Sequence, residues 1–345
     1  MSMLTDSEIS EVGILLKQEK KIVLTAHTNP DGDAIGASLA MYHYLTKLGN
    51  TVNMIVPNSF PEYYNWLPDS GEILIYEKQS KLCQSLLKQA DIIFSLDYNA
   101  ISRLGAVADI FRKTTAKRIL IDHHIDPEKE SFDYCHSTVD VSSTGELVYD
   151  FITKIGDEKL IDKKTAEAIY TSIVTDTGSF SFSCNRPETY IITSKLITLG
   201  VDAQKIHKLI YDTFSESRLR LLGYAISNRM IVLEELHTAI IYLTKSDLKK
   251  YNYQVGDTEG VVNFPLSMAK INMAILITEK DNQLRMSLRS KGDFSVNDLA
   301  RAHFNGGGHR NAAGGKSSEK VDELIERIKT VMEGYKEELN YTISL

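Results

Sequence analysis

Acidic and histidine side chains that can bind metal ions or carry protons stand directly after an apolar stretch of the chain. Residues 119–121 are apolar, and Asp122, His123 and His124 follow without a spacer. Because successive side chains of a strand point to opposite faces, these three groups can reach one cavity only if the strand ends here and the chain turns. Sites of open α/β sheets form outside the carboxyl ends of their strands. The three residues alone are a weak signal, but they predict one corner of such a site.

Other predicted elements end in matching residues. A predicted strand at 21–26 runs into His27, Asp31 and Asp33, a buried strand at 91–97 ends in Asp97, and a helix over about 163–174 is followed by Asp176. Each has a simpler interpretation when taken alone. Asp33 can cap a helix, Asp97 can cap the following helix, and Asp176 can be solvated. Their recurrence at successive element ends favours a shared site.

The ligand types indicate what that site can bind. Mixed imidazole and carboxylate ligation suits Mn²⁺, Fe²⁺, Co²⁺ or Zn²⁺, whereas purely oxygen ligation suits Mg²⁺. Four carboxylates and two imidazoles are about what two ions need if one carboxylate bridges them. Paired ions ~3.5–4 Å apart clamp the attacking and leaving oxygens of a displacement at phosphorus. The pattern therefore favours metal-assisted chemistry on a phosphate ester.

The order of elements predicts an α/β protein with two domains. Strands alternate with helices up to about residue 186, which predicts a mostly parallel sheet flanked by helices. Residues 187–228 are nearly all helical, and a predicted hairpin of 272–278 with 283–290 and a helix over 320–338 come later. A chain of 345 residues also exceeds the usual single domain. We expect a catalytic domain at 1–190, a helical linker at 191–225, and a smaller α/β domain with a mixed sheet at 226–345.

The predicted second domain has a candidate anion site. Six basic residues (Arg285, Arg289, Lys291, Arg301, Arg310 and Lys316) stand against two acids (Asp293 and Asp298). Arg289 and Ser290, at the end of the hairpin, can supply a bidentate phosphate contact. The glycines of 306–308, before His309 and an expected small-residue helix start, can offer N–H groups to phosphate. The alternative is a flexible loop beside a solvated charged face.

Composition narrows the function classes. A net charge of −7 argues against general attraction to nucleic acid, so an anionic substrate must be met locally. Three dispersed cysteines fit a reducing compartment. The start of the chain has no signal-peptide core, and no apolar run approaches the roughly 18 residues of a membrane span. We expect a cytoplasmic protein with no membrane partner.

The motifs, taken in order, resemble those of a known family. His27-x-Asn29-Pro30-Asp31-x-Asp33, Asp97, Asp122-His123-His124 and Asp176-Thr177-Gly178-x-Phe180 resemble the successive motifs of the DHH phosphoesterase superfamily. Arg289-Ser290 and the segment 306–314 resemble its small associated C-terminal domain. Within the superfamily, the chain is similar to the branch of bifunctional oligoribonucleases and pAp phosphatases, where pAp is 3′-phosphoadenosine 5′-phosphate.

The resemblance implies a role for each motif residue. It gives His27 and Asp31 to one Mn²⁺, Asp33, His123 and Asp176 to a second, and Asp97 to the bridge, with Mg²⁺ or Co²⁺ as alternatives. It makes Asp122 the support of a histidine, and His124 a contact of the scissile phosphate or the donor of a proton to the leaving group. It implies substrate binding by Arg289, Ser290, Gly307, Gly308 and His309, and more weakly by Arg103.

The implied reaction is hydrolysis of short RNA oligonucleotides to mononucleotides and of pAp to AMP. Two alternatives stay open. The first is another superfamily activity, on polyphosphate, pyrophosphate or a cyclic dinucleotide. The second is a metal-dependent nucleotide-binding regulatory module, which is disfavoured because every candidate metal ligand is present. Related enzymes often pair, which implies a homodimer as the candidate assembly.

Overall fold

The computed structural model describes residues 3–280 and 283–341, which fall into two compact units divided between Thr213 and Phe214. The segment predicted as a linker, 191–225, contributes helices to both units. The expected hairpin turn at Asp281 and Asn282 lies outside the described residues. None of the helices in the described ranges has the length and apolar character needed to cross a bilayer.

Unit 1 alternates strands and helices through most of its length. In chain order its main elements are α1 (Asp6–Leu16), β1 (Lys21–Ala26), α2 (Gly32–Lys47), β2 (Thr51–Val56), β3 (Ile73–Ile75), α3 (Tyr76–Gln89), β4 (Ile92–Leu96), α4 (Ala108–Arg112), β5 (Lys117–Asp122), β6 (Tyr134–Ser137), α5 (Thr144–Ile155), α6 (Lys163–Asp176), α7 (Pro187–Thr198) and α8 (Ala203–Tyr211). The sheet has the order β3-β2-β1-β4-β5-β6, and every neighbouring pair is parallel. This confirms the predicted parallel α/β architecture.

Both faces of this sheet are covered by apolar side chains. Along β1, Leu24 belongs to the larger core and Val23 to a second core on the opposite face. Such two-sided burial explains why the strands are nearly continuous apolar runs rather than alternating ones. The chain builds β2 and β3 on one side of β1 and then returns to place β4 on the other side. The carboxyl ends of β1 and β4 therefore flank the point at which the strand order reverses, where α/β proteins bind ligands.

Unit 2 has a mixed sheet, as predicted. Its main elements are α9 (Glu216–Asn228), β7 (Met230–Leu233), β8 (Thr238–Leu243), α10 (Lys245–Lys250), β9 (Met273–Lys280), β10 (Gln283–Ser290), α11 (Val296–His303), β11 (Gly307–His309), β12 (Ala312–Ser317), α12 (Val321–Glu333) and α13 (Lys336–Leu339). The strand order is β11-β12-β10-β9-β8-β7, with β8 and β9 parallel and the other pairs antiparallel.

One local prediction in unit 2 is wrong. The small residues after His309 do not start a helix but form β12, which pairs with β10 on one side and β11 on the other. Small side chains suit this position because backbones approach closely there. A Cβ atom added to Gly306 would lie 1.9 Å from the carbonyl oxygen of Gly314. Tertiary pairing, rather than local helix propensity, decides this segment.

Candidate metal centre

The first ligand candidate follows β1. The Nδ1 atom of His27 lies 2.8 Å from the carbonyl oxygen of Thr28, and this contact turns Nε2 towards Asp31 and Asp97. Nε2 is 3.3 Å from Oδ2 of Asp97 and 3.9 Å from Oδ1 of Asp31. His27 is buried. The end of β1 thus supplies an imidazole that faces two carboxylates.

Asp31 caps the helix that follows. Its Oδ1 accepts hydrogen bonds from the N–H groups of Asp33 (3.1 Å) and Ala34 (3.2 Å), so the residue that caps α2 is Asp31 and not Asp33, the cap suggested by the sequence pattern alone. Gly32 is required between the two acids. A Cβ atom there would lie 2.4 Å from Cγ2 of Thr175, the residue before Asp176. The close approach of α2 to the end of α6 brings the acidic residues of both helices together.

The carboxylate of Asp33, in the first turn of α2, is held by the N-terminus of α5. Its Oδ2 accepts from the N–H of Thr144 at 2.8 Å, and its Oδ1 accepts from the N–H of Gly145 at 3.1 Å and from the hydroxyl of Ser172. These groups belong to the N-terminus of α5 and to α6. The positive end of a helix dipole suits a carboxylate. Asp33 therefore has a fixed orientation although it is almost fully buried.

Asp97 lies at the centre of the cluster. It follows β4 with a left-handed backbone (φ 62°), and its N–H donates to the carbonyl oxygen of Ile121 at 3.1 Å. Its Oδ1 is 3.6 Å from Nε2 of His123 and 3.7 Å from Nδ1 of His124. Burial raises the pKa of Asp97, but the hydrogen bond with His27 and the charges of His27, His123 and Arg103 outweigh burial and lower the pKa to about 2.

The Asp-His-His residues point in different directions as β5 ends. His124 Nδ1 is 2.7 Å from Oδ1 of Asp122, and the His124 N–H donates to Oδ2 of the same carboxylate at 3.1 Å. His123 Nε2 instead lies 3.4 Å from Oδ2 of Asp33 and 3.6 Å from Oδ2 of Asp176. Asp122 thus supports one histidine, while the other faces the acidic residues of α2 and α6.

Three overlapping groups of these residues have ligand atoms within 4.8 Å of one another, and Asp97 belongs to all three. They are His27 with Asp31 and Asp97, Asp33 with Asp97 and His123, and Asp97 with Asp122 and His124. Imidazole and carboxylate donors in this arrangement fit divalent cations. The residues could therefore hold metal, with Asp97 the natural point at which two sites meet.

The electrostatics of the cluster agree with a cation site. Burial, followed by the charges of Asp97, Asp176 and Asp31, raises the pKa of Asp33 well above its usual range. Burial and the charge of Asp97 raise the pKa of Asp122 to about 8. Buried carboxylates that repel one another need protons or cations to compensate them. Divalent cations would supply that charge within the cluster.

Arg103 lies beside this cluster. Its carbonyl oxygen accepts from the N–H of Thr28 at 2.8 Å, which joins its loop to the segment after β1. Its charge acts on His27, Asp97 and Asp122. Arg103, the substrate residue for which the sequence offers the weakest indication, thus has its basic side chain close to the acidic cluster.

In unit 2, two of the predicted substrate residues share one row of the sheet. Arg289 and His309 are both register partners of Ala312, on opposite sides of β12. Directly opposed residues of a sheet lie on the same face. Arg289 and His309 therefore lie on one face, two strand spacings apart, or about 10 Å.

Ser290 is not brought to that face. It follows Arg289 in β10, and alternation along a strand turns it to the other side. Its side chain is buried, and its hydroxyl donates to the carbonyl oxygen of Phe294 at 2.7 Å. Two of the predicted glycine N–H donors also belong to a strand, β11, where Gly307 pairs with Gly314 and the Gly308 N–H donates to Oδ1 of Asn297 at 2.9 Å. The structure thus groups Arg289 and His309, and it separates Ser290 from them.

Sequence reasoning missed three residues that hold the acidic ligand candidates, namely Thr144, Gly145 and Ser172. The sequence predicts only a capping box over the segment from Ser143 to Glu146. Ser143 does cap α5, accepting from the Glu146 N–H at 3.1 Å. The Glu146 carboxylate, however, accepts from the N–H and hydroxyl of Ser142 and the hydroxyl of Thr189. The only local signal was a Thr-Gly pair at a helix start, and such a pair does not by itself indicate a metal site.

Two family models match the sequence. One, described as the DHH family, N-terminal domain, matches residues 21–173, and the other, the DHHA1 domain, matches residues 236–334. Together they span the acidic cluster after β1, β4 and β5 and the strands of unit 2 that carry Arg289 and His309. The chain belongs to the DHH family of phosphoesterases, which confirms the resemblance found in its motifs.

Individual relatives extend over nearly the whole chain. The chain is 25% identical over 316 residues to a probable bifunctional oligoribonuclease and PAP phosphatase NrnA of Streptococcus mutans, covering 88% of this chain and 91% of that protein. It is 27% identical over 333 residues to a bifunctional oligoribonuclease and PAP phosphatase NrnA of Thermus thermophilus, covering 94% and 92%. A crystal structure from Bacteroides fragilis, described as an exopolyphosphatase-related protein, is 40% identical, with a TM-score of 0.92 over 99% of this chain and 100% of that one.

Proposed function

We propose that this protein is a two-metal phosphoesterase that degrades short RNA oligonucleotides to mononucleotides and converts pAp to AMP. The observation that carries the proposal is the sharing of Asp97 between the His27 group and the His123 group. The relatives named as oligoribonucleases and PAP phosphatases support the choice of substrates. The mixed imidazole and carboxylate donors of both groups fit a first-row divalent cation. We further propose Mn²⁺ among these because the family resemblance implies it, with Mg²⁺ or Co²⁺ as alternatives.

The proposed ligand assignment starts from the two groups and adds Asp176, whose Oδ2 lies 3.6 Å from Nε2 of His123. His27 and Asp31 hold one ion, Asp33, His123 and Asp176 hold the other, and Asp97 contributes to both. Two divalent ions bound there would neutralise the carboxylates, polarise the phosphate and lower the pKa of a bound water. The backbone donors of α5 keep Asp33 in place.

His124 acts on the substrate in this proposal. With Nδ1 bonded to Asp122, the ring directs Nε2 away from that carboxylate. Nε2 is then the atom that contacts the scissile phosphate or gives a proton to the leaving oxygen. Asp122 fixes the tautomer and the orientation of the ring, as carboxylates commonly do for functional histidines.

Basic residues select the phosphate groups of the substrate. Arg103 would meet a phosphate at the acidic cluster, and Arg289 and His309 would bind a terminal phosphate or nucleotide on their shared face of unit 2. We retain Ser290, Gly307 and Gly308 as proposed contacts, although Ser290 would have to exchange its bond with Phe294.

We also propose a cytoplasmic enzyme, consistent with three free cysteines, and a homodimer as its assembly.

A second candidate function is polyphosphate hydrolysis. It is favoured by the 40% identical Bacteroides fragilis protein, which is described as exopolyphosphatase-related. Polyphosphate has no base or ribose, so an enzyme specific for it should treat nucleotides poorly. The two functions are therefore separable by their products.

The deciding experiment offers the purified protein, with Mn²⁺, three substrates in parallel: pAp, RNA of a few nucleotides, and polyphosphate. We expect AMP and phosphate from pAp and mononucleotides from RNA, at rates well above that on polyphosphate. Product identity is read by chromatography. Rapid phosphate release from polyphosphate, with no product from the two nucleotide substrates, would replace the proposed function with the second candidate.

A further inference from the structure

Thr144 contacts two carboxylates that the proposed function assigns to different ions. Its N–H donates to Oδ2 of Asp33 at 2.8 Å, and its hydroxyl donates to Oδ1 of Asp97 at 3.0 Å. The side chain is fully buried. A single residue thus joins the acid after β1 to the acid after β4 without itself carrying charge.

The hydroxyl contact bears on how Asp97 is turned. Oδ2 of Asp97 faces His27 at 3.3 Å, whereas Oδ1 faces His123 at 3.6 Å. A carboxylate that bridges two ions through both of its oxygens presents one oxygen to each group. Because the Thr144 hydroxyl bonds to Oδ1, it opposes rotation of the carboxylate away from this division.

Thr144 is itself held firmly. Ser143 caps α5, and the N–H of Gly145 donates to the hydroxyl of Ser172 at 2.8 Å. A Cβ atom on Gly145 would lie 2.1 Å from that hydroxyl oxygen, so α5 and α6 are too close here for residue 145 to carry a side chain. The start of α5 therefore cannot shift without displacing Ser172, which also donates to Asp33.

The geometry points to Thr144 as a positioning residue that fixes the separation and orientation of Asp33 and Asp97, and through them the spacing of the two ions. This inference rests on the proposed two-metal function. Thr144 does not touch the substrate. It determines how well the pair of sites is formed before a substrate arrives.

The test measures metal binding directly, without substrate. The hydroxyl is removed in Thr144→Val and kept in Thr144→Ser, and Mn²⁺ affinity is followed by calorimetry and the Mn²⁺ pair by electron paramagnetic resonance. Loss of a residue that supports ligands commonly costs about 10–100-fold in metal affinity, so we expect that increase in Kd for at least one ion of the valine variant. Its spin-coupled pair signal should weaken or change, and serine should restore both readouts. Thr144→Ala removes the same hydroxyl without adding a methyl group and carries the same expectation should valine prevent folding.

Thr171→Val is the matched control. Thr171 is as fully buried as Thr144, but its hydroxyl donates to the carbonyl oxygen of Glu167 at 2.8 Å within its own helix. We expect wild-type Mn²⁺ affinities and pair signal from this variant. Wild-type protein that binds two ions, together with a Thr144→Val variant that binds them equally well with an unchanged signal, would overturn the role of Thr144 alone. Wild-type protein that binds fewer than two ions would overturn the two-metal function as well.

Discussion

Buried carboxylates occur in both units, but their surroundings differ. In unit 2, Asp247 accepts hydrogen bonds from Arg229 at 2.8 Å and from the N–H and hydroxyl of Thr244 at 3.0 and 2.8 Å. Burial raises its pKa, but these bonds, led by that of Arg229, outweigh burial and lower the pKa to about 2. The charge of Arg229 and the hydrogen bonds of the Thr244 helix cap thus compensate the Asp247 carboxylate within the folded protein.

Two acids of the unit 1 cluster, Asp33 and Asp122, lack this balance. Burial and neighbouring carboxylates raise the pKa of Asp33 and of Asp122. Imidazoles face these acids where Asp247 has a guanidinium. An arrangement that is electrostatically unfavourable for the folded protein alone is typical of a functional site, because added positive charge is needed to complete it. Asp247 is thus compensated by residues of its own unit, whereas Asp33 and Asp122 lie among like charges that the proposed metal ions would compensate.

The largest expected effect comes from removing the shared ligand. Asp97→Asn keeps the shape of the side chain but removes the charge that both groups use. Mutation of a residue that supports metal ligands commonly lowers metal affinity or activity about 10–100-fold. Loss of the bridging ligand itself should therefore lower kcat by more than about 100-fold. Steady-state rates on pAp and metal content per chain provide the measurement. Near-normal turnover with two bound ions would exclude Asp97 as the bridge.

The second effect concerns substrate binding in unit 2. Arg289→Ala removes a guanidinium from the face that also carries His309. A charge-assisted hydrogen bond is worth about 1.5–3 kcal/mol. The KM for pAp should therefore rise roughly 10–100-fold, with the metal content unchanged. Arg220→Ala is the control, since that arginine is exposed on α9 and pairs with Glu216. An unchanged KM in Arg289→Ala would remove this residue from the substrate site.

The third prediction compares two variants that each neutralise one carboxylate, Asp176 in unit 1 and Asp247 in unit 2. The quantity measured is the melting temperature of the metal-free protein. Asp176→Asn should leave it unchanged or higher, because it relieves repulsion with Asp33. The same variant should weaken stabilisation by Mn²⁺, because Asp176 is the proposed ligand of one of the two ions. Asp247→Asn should lower it by about 5 °C, because the ion pair with Arg229 is lost. Equal destabilisation by both variants would contradict the distinction between the two carboxylate environments.

The smallest effect is a pH dependence in unit 2. The lowered pKa of Asp247 means that its contribution to stability is present above its ordinary pKa of 3.8 and is lost as pH falls towards about 2. The stability difference between wild type and Asp247→Asn should therefore shrink as pH falls through that window. Thermal unfolding at several pH values provides the check, and a difference that stays constant down to pH 2 would show that the Asp247 charge contributes nothing.

Parts of the site were predictable because each ligand candidate follows a signal in its own segment. The runs that became β4 and β5 are apolar and end in Asp97 and Asp122, so both the strands and the acids at their ends could be predicted together. The edge strand β3 has only three residues, and β11 and β12 consist largely of glycine and alanine, so pairing with neighbours determines them. The contacts of Thr144 join residues 111 and 47 positions apart, which no local pattern records.

We propose that the acidic cluster of unit 1 binds two divalent ions that share Asp97. Anomalous diffraction from crystals grown with Mn²⁺ would locate these ions. We expect two manganese peaks, one beside His27 and Asp31 and the other beside Asp33, His123 and Asp176, with Asp97 between them. A single peak, or peaks away from Asp97, would contradict it.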